Sequence, residues 1–369
     1  MIITLLRILV GGLFLFSGFI KANDPLGFAY KLEEYFGVFG TDVFIPWATP
    51  IAMLITWVEM IVGFALLLGA RKILVLTVLM LMILFFTFLT FWSAYFNVVT
   101  DCGCFGDFMK LTPWESFSKD VVLLVLVGAL IAGHKHIKPI LTKQNDWKVI
   151  GAFKLIIVVF TLYSWYYLPL WDLRPYKVGS NIPAGMAIPE GAPADEYRDT
   201  WYYKVNGEVG EYTTEQAPWD IAGAEFVDRK TVLIKKGYTP PIHDFHITDP
   251  QSGEEFTDEF LQAEVAIIFV AYDLKKSNEG AWSEVKELLE WADLNQYRSA
   301  VLTASTVEQL ADFQKSHSGE WPFYITDGTT LKTIIRSNPG LMVLKKGTVK
   351  GLWPASSLPS QNQLEALLK

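Results

Sequence analysis

Cysteine is nearly missing from this chain: two of 369 residues. That excludes a disulfide-dense secreted scaffold. Charge is scarce as well, at 19% of residues, where a soluble domain carries about 25%. The shortage is local. Residues 1–171 carry 12 Lys/Arg against 10 Asp/Glu, and residues 172–369 carry 19 against 29. An apolar half is joined to an acidic, ordinary half, which excludes a single soluble globule and a disordered chain. No basic face forms, so nucleic acid is excluded as a partner. A Walker loop, a dinucleotide fingerprint and a hydrolase elbow are all lacking.

What the first half has is five apolar runs, at about 2–20, 47–69, 73–96, 120–134 and 149–171. A helix crosses a bilayer with about 20 residues. The fourth run is short and spans only if flanking residues such as Phe117 and Ser118 join it. The first lacks a small-residue cleavage site and runs into Lys21-Ala22-Asn23-Asp24, unlike a removed signal peptide. Arg71, Lys72, Lys135, Lys138, Lys143 and Lys148 fill alternate connections, opposed only by Asp146. The other connections carry Lys21, Lys31, Lys110 and Lys119 against Asp24, Glu33, Glu34, Asp42, Asp101, Asp107, Glu115 and Asp120. The positive-inside rule then predicts a cytoplasmic N-terminus and, with five spans, residues 172–369 outside. Trp165, Tyr166, Tyr167 and Trp171 form an interfacial belt at the outer end of the fifth run. After Asp24, an N-cap followed by Pro25, the spacing of Phe28, Leu32, Tyr35 and Phe36 predicts a short helix lying above the bundle.

The two cysteines sit together in Asp101-Cys102-Gly103-Cys104-Phe105-Gly106-Asp107. In an oxidising compartment such a pair can close on itself, and the glycine lowers the backbone cost of so tight a ring. Strained, exposed bonds of this kind tend to be catalytic or regulatory. The pair could instead shape a turn, or provide half of a metal site. The last wants four ligands, and His134 and His136 lie across the membrane. Asp101 and Asp107 raise a thiol pKa, which suits an accepting disulfide better than an attacking thiolate. Glu59, midway along the second run, must face the bundle interior. Its candidate partners are Arg7, Thr87, Thr90 and Ser93, and it either holds helices together or carries protons.

Phe16-Ser17-Gly18-Phe19-Ile20-Lys21, Glu59 with Gly63, and the Cys-Gly-Cys-Phe-Gly stretch together resemble the DoxX-like membrane proteins, and most closely their MauE branch. The resemblance covers about residues 1–140. It implies a four-helix membrane domain tied to disulfide formation in a periplasmic enzyme, beside a thioredoxin-like companion. For the DoxX side it implies quinone-coupled sulfur chemistry, so a quinone is the expected cofactor. Cys102 and Cys104 inherit the redox role, with Lys21, Asp24, Glu59, Asp101, Gly103, Phe105, Gly106 and Asp107 in support. The fifth span, within about 141–171, departs from the four-helix pattern and looks like an added tether.

Residues 172–237 read as a linker holding a hairpin around Asn206-Gly207, its first part (172–200) broken by Pro175, Pro183, Pro189 and Pro193. From 238 the pattern turns α/β. Strands are expected at 265–271, 299–303 and 322–326, and a terminal hairpin at 340–352. Helices are expected at 279–294, after a Ser305/Glu308 capping box, at 329–336 and at 361–368. Together with Pro240-Pro241-Ile242-His243-Asp244-Phe245, this order resembles a redoxin-type thioredoxin fold. Pro339 matches that fold's cis-proline, and so its client contact. That fold's Cys-x-x-Cys is absent: the stretch reads Tyr272-Asp273-Leu274-Lys275-Lys276-Ser277-Asn278-Glu279. Without a thiolate this domain exchanges no disulfides. His243, His246 and His317 read as solvated or capping residues, and no metal is expected.

The expected architecture is therefore a membrane α-helical bundle, four-helix DoxX-like plus one extra span, with a C-terminal α/β thioredoxin-like domain. It would lie in a bacterial inner (cytoplasmic) membrane with the C-terminal domain periplasmic. The expected function is extracytoplasmic thiol/disulfide chemistry through the Cys-Gly-Cys pair, with the lipid bilayer and an extracytoplasmic protein client or redox partner. The alternative is a non-catalytic anchored binding protein whose cysteines are structural.

Overall fold

The computed structural model describes residues 1–99, 103, 105–109, 111–317 and 321–369. Six helices make the first half: α1 (Ile2–Asn23), α2 (Pro25–Val38), α3 (Ala48–Leu68), α4 (Lys72–Phe96), α5 (Pro113–Ala132) and α6 (Lys143–Tyr166). Among the described residues, four helical segments are long and apolar enough to cross a membrane: Ile2–Asn23, Asp42–Leu68, Lys72–Phe96 and Lys143–Tyr166. Helix α5 is 20 residues long and takes in Phe117 and Ser118, but it carries Glu115, Lys119 and Asp120 near its start and is not among the four.

Small residues set how the bundle closes. Helix α1 runs antiparallel to α3, with Gly11 against Gly63 and Leu67, and Gly18 against Met60. A methyl group on Gly63 would lie 3.1 Å from the Gly11 carbonyl oxygen and the Leu15 nitrogen. Without a hydrophobic drive between helices in lipid, such close approach is a main source of association. At one end Arg7 donates to the Lys138 carbonyl at 2.9 Å and Lys72 to that of Ile137. At the other, Asn23 and Trp171 exchange two hydrogen bonds of 2.7 and 3.0 Å, tying the chain after α6 to the end of α1.

Helix α2 starts as its sequence dictates. Asp24 accepts from the Gly27 N–H at 3.0 Å and Pro25 takes the first turn. Its inner face buries Phe28, Ala29 and Leu32 against Ala48 and Ala52 of α3, while Phe36 is half-buried.

Residues Asn181–Asp244 form a separate compact unit. It holds α7 (Ile182–Met186) and three antiparallel strands, β1 (Glu196–Val205), β2 (Glu208–Thr213) and β3 (Glu225–Lys235), in the order β2-β1-β3. Asn206 and Gly207 turn the β1–β2 hairpin with φ of 53° and 91°. Strand β1 begins inside the stretch expected to be irregular, just beyond its last proline, Pro193. Strand β3 was not expected. Asp228-Arg229-Lys230 and two register shifts against β1 break its alternation.

The remaining elements are α8 (Thr257–Gln262), β4 (Ala266–Val270), α9 (Trp282–Leu294), β5 (Arg298–Thr303), α10 (Val307–Ser316), β6 (Phe323–Ile325), α11 (Gly328–Ile334), β7 (Gly340–Lys345), β8 (Thr348–Pro354) and α12 (Gln361–Leu368). The sheet order is β6-β5-β4-β7-β8. Strands β4, β5 and β6 are parallel, and β7 is antiparallel to both its neighbours. The continuous apolar run of β4 is wholly buried, as a central strand requires. Trp282, Val285, Phe313 and Trp321 pack in the core on one side of it. One cap is corrected: α10 starts on a Thr306/Gln309 box, not Ser305/Glu308. The Ser305 hydroxyl instead accepts from the Leu274 N–H at 3.0 Å. The Asn338–Pro339 peptide is cis.

Candidate functional site

Cys102, Cys104 and Asp101 lie outside the described residues. The described part of their loop is pinned to α1. Phe105 and Phe108 set their rings 5.9 and 5.3 Å from that of Phe16. The Gly106 N–H donates to the Gly103 carbonyl at 3.2 Å. Both glycines have positive φ, 64° at Gly103 and 49° at Gly106, which other residues adopt only at a cost.

Arg336 follows α11 and stands three residues before the cis-proline. Its Nη2 lies 2.8 Å from Asp24 Oδ2 and 3.0 Å from Asp107 Oδ2, its Nε reaches Asp24 at 2.9 Å, and its Nη1 donates to the Lys332 carbonyl. One buried guanidinium thus joins three parts of the chain: the α2 cap, the cysteine loop and the end of α11. Burial pushes the Asp24 carboxyl up, but the Arg336 charge and hydrogen bonds, the Arg174 charge and the Gly27 N–H outweigh it and hold it below the ordinary value. Burial disfavours the charged Arg336 too, and the two carboxylates more than restore it. Nearby, Tyr30 donates to Tyr272 Oη at 3.1 Å, and Lys332 sits 3.3 Å from Glu33 and 4.4 Å above the Tyr30 ring. Burial, then Tyr272, keeps the Tyr30 hydroxyl protonated well past its usual range. The thiol-free turn that starts at Tyr272 therefore faces α2.

A cleft of about 370 Å³ opens here, lined by Lys21, Asp24, Gly103, Gly106, Asp107 and Arg336 among others. Lys21 also borders a smaller interior pocket of about 50 Å³, with Ser17, Glu59, Phe105, Lys119 and Asp120. That pocket has room for a few water molecules, at about 10–15 Å³ each.

The partners expected for Glu59 are corrected. Glu59 pairs with Lys21 at 2.7 Å, and Lys21 also donates to Ser17 at 2.9 Å. Arg7 is spent on Lys138, Thr87 on the Ile83 carbonyl and Ser93 on Tyr35. Thr90 donates to Asp120 at 3.0 Å, whose other oxygen lies 2.7 Å from Lys119. Asp120, counted above as a loop charge, is buried on α5. Lys21, Asp24, Gly103, Gly106 and Asp107 thus line one cleft, while Glu59 and Phe105 line the smaller pocket, which Lys21 also borders. Sequence reasoning missed Arg336, Asp120 and Arg174. A lone arginine beside the candidate cis-proline was the one available signal.

Pro339 keeps its place in the loop opposite Tyr272: Asn338 donates to the Asp273 carbonyl at 2.7 Å. His243, His246 and His317 pair with Asp244, Glu255 and Glu279. Among the described residues, no three His, Cys, Asp or Glu gather as metal ligands.

Fold and site together define a helical membrane domain capped by an α/β domain. Residues 1–133 match the family described as "Methylamine utilisation protein MauE" and form a MauE-like membrane domain. Residues 197–236 match a "Domain of unknown function (DUF8463)". The chain is 25% identical over 188 residues to Protein TlpB of Flavobacterium psychrophilum, covering 48% of this chain and 45% of that protein. The chain thus spans less than half the length of this relative. A solution structure from Neisseria meningitidis that carries the name thioredoxin aligns with 33% of this chain and 85% of its own, at 18% identity and a TM-score of 0.26.

Proposed function

We propose that this protein is a membrane thiol-disulfide oxidoreductase whose working pair is Cys102 and Cys104. Its membrane would be the bacterial inner membrane, crossed five times with α5 as a span, and its α/β domain periplasmic. The cations of the 71–72 and 135–148 connections favour that orientation. The domain organisation follows the same reading: a membrane domain over 1–140, a tether over 141–171, a linker with strands over 172–237, and a thiol-free client-binding domain over 238–369. In that domain Pro339 is the client contact.

One observation carries the reading. Arg336 fixes the cis-proline loop of the α/β domain to Asp107, three residues past Cys104, beside a cleft bordered by Gly103 and Gly106. A client held at that loop would meet the cysteine pair with little search, which is the gain from orienting reactants. The chemistry balances as an exchange. A client dithiol gives two electrons and two protons to the Cys102–Cys104 disulfide, whose S–S bond breaks, and leaves as a disulfide. The reduced pair returns both to a membrane-borne two-electron acceptor. A quinone is the class implied by the DoxX resemblance, and it would supply two-electron, two-proton acceptance. Glu59, Lys21 and Asp120 supply a polar interior that Phe105, the residue after Cys104, also lines.

The test is trapping. In membranes of cells carrying the full-length Cys104→Ser variant, Cys102 should accumulate a mixed disulfide with an extracytoplasmic protein or thiol. No adduct, with wild-type function retained by the Cys102→Ala/Cys104→Ala variant, would return the protein to an anchored binding role.

A further inference from the structure

We propose that a basic pocket lined by Arg7, His136 and Lys138, at the end of the bundle away from Asp24, binds the phosphate headgroup of an anionic membrane phospholipid. This site needs only the membrane domain and does not rest on the cysteine chemistry.

The charge at this end is one-sided. Residues 1–20, 60–100 and 121–145 hold Arg7, Arg71, Lys72, Lys135, Lys138 and Lys143 and no Asp or Glu. Asp146 follows, buried at the start of α6, and is not part of the pocket wall. Arg71 lies 4.7 Å above the Trp147 ring, and Lys72 donates to the Ile137 carbonyl. Arg7 differs from both. Among the described residues its guanidinium makes one hydrogen bond, from Nη1 to the Lys138 carbonyl at 2.9 Å, and no ion pair. Its Nε is buried without a hydrogen-bond partner. An unmet buried donor is costly, and a cation within a membrane span calls for a counter-charge. Among the described residues no carboxylate lines the pocket to supply one.

The arginine sits on a fixed frame. Gly69, with φ of 68°, ends α3 against the same bond: a methyl group there would lie 2.6 Å from the Lys138 carbonyl oxygen and 2.9 Å from Arg7 Nη1. The Ile140 N–H donates to the Leu68 carbonyl at 2.9 Å, which holds the 136–140 segment against α3. The pocket has a volume of about 830 Å³, within the usual range of about 300–1,000 Å³ for a bound small molecule. Much of its remaining wall is apolar, with Ile2, Ile3 and Ile140, and both Ile2 and Ile140 are exposed. Cations beside aliphatic surface match a phosphate beside an acyl chain. A soluble anion would use the cations and leave the isoleucines bare. A guanidinium can hold two phosphate oxygens through parallel N–H bonds, and lysine adds a point charge. Basic pockets between membrane helices hold such headgroups for these reasons.

The experiment is native mass spectrometry of the full-length protein in detergent, titrated with phosphatidylglycerol or with phosphatidylcholine of the same acyl chains. The wild type should bind one phosphatidylglycerol about tenfold more tightly than phosphatidylcholine, the order expected for two cations facing one net negative charge. Arg7→Gln should erase most of that preference, and Arg7→Lys should restore only part of it. Lys138→Gln should weaken phosphatidylglycerol about three- to fivefold. The Lys138 side chain is exposed, and the variant keeps the backbone carbonyl that holds Arg7, so it reads the site even where Arg7→Gln folds poorly. Lys148→Gln removes the same charge outside the pocket and should leave the preference unchanged. Equal affinity of the wild type for the two lipids, or an equal loss in Lys138→Gln and Lys148→Gln, overturns the proposal. Displacement of the lipid by inorganic phosphate at similar concentration would mark a site for free anions and overturns the lipid assignment as well.

Discussion

Lys21 Nζ lies 2.7 Å from Glu59 Oε2, and neither side chain is more than 5% exposed. The pair links α1 to α3, Lys21 borders the cleft, and Lys21 also faces the rings of Phe28 and Phe86 at 5.2 and 5.4 Å. Two opposite charges in an apolar bundle are tolerable only together. Lys21→Met alone leaves a buried carboxylate unpaired and should cost about 3–5 kcal/mol. The double variant Lys21→Met/Glu59→Leu should cost less than half of that. Thermal unfolding in detergent checks both, and a double variant as weak as the single one would show that the pair is not the coupled unit.

Asp24 gives a pH dependence with a definite sign. Its carboxyl is held below the ordinary 3.8 by Arg336 against the cost of burial. The stability it contributes is therefore fully present above that ordinary value and is lost as pH falls through the lower folded one. The melting-temperature gap between wild type and Asp24→Asn should be constant from pH 7 to about 5 and shrink below about 4. A gap that widens in acid would contradict the assignment.

Gly27 leaves no room for a side chain beside this pair. A methyl group there would lie 2.5 Å from Asp24 Oδ2 and 3.0 Å from Arg336 Nη2. Asp24 cannot swing away without giving up both its cap and its ion pair. Gly27→Ala should cost about 1–3 kcal/mol, the usual range for overpacking. Faster proteolysis of the 328–339 segment should accompany the loss.

Gly63 and Gly12 make a matched contrast on facing helices. A methyl group on Gly63 would press on backbone atoms of α1 at 3.1 Å, whereas one on Gly12 meets nothing within 4 Å. Gly63→Ala should destabilise the bundle by about 1–3 kcal/mol. Gly12→Ala should be neutral or slightly stabilising, since alanine favours the helix. Equal melting temperatures for the two variants would refute the close α1–α3 approach.

Much of the architecture was written locally. Asp24-Pro25 started α2 because a cap needs only three residues of chain. The continuous run at 265–271 announced a buried central strand, and Asn206-Gly207 fixed a hairpin by its backbone preference. The site was less legible because it is assembled from afar. Lys21 meets Glu59 across 38 residues and Arg336 meets Asp24 across 312. Both depend on how helices slide and dock, which periodicity does not encode. Asp120 looked like a loop charge because it opens an apolar run, and only the packing of α5 against Thr90 of α4 reveals its burial.

The central claim is that Cys102 and Cys104 cycle between a dithiol and a disulfide. Intact-mass measurement of the full-length protein, blocked with an alkylating agent in native membranes before extraction, tests this most directly. The account predicts that a fraction of the molecules takes up no alkyl group until a reductant is added, then takes up two, and that this fraction rises when the cells are given an oxidant. Two alkyl groups on every molecule without reductant, unchanged by oxidant, would contradict it.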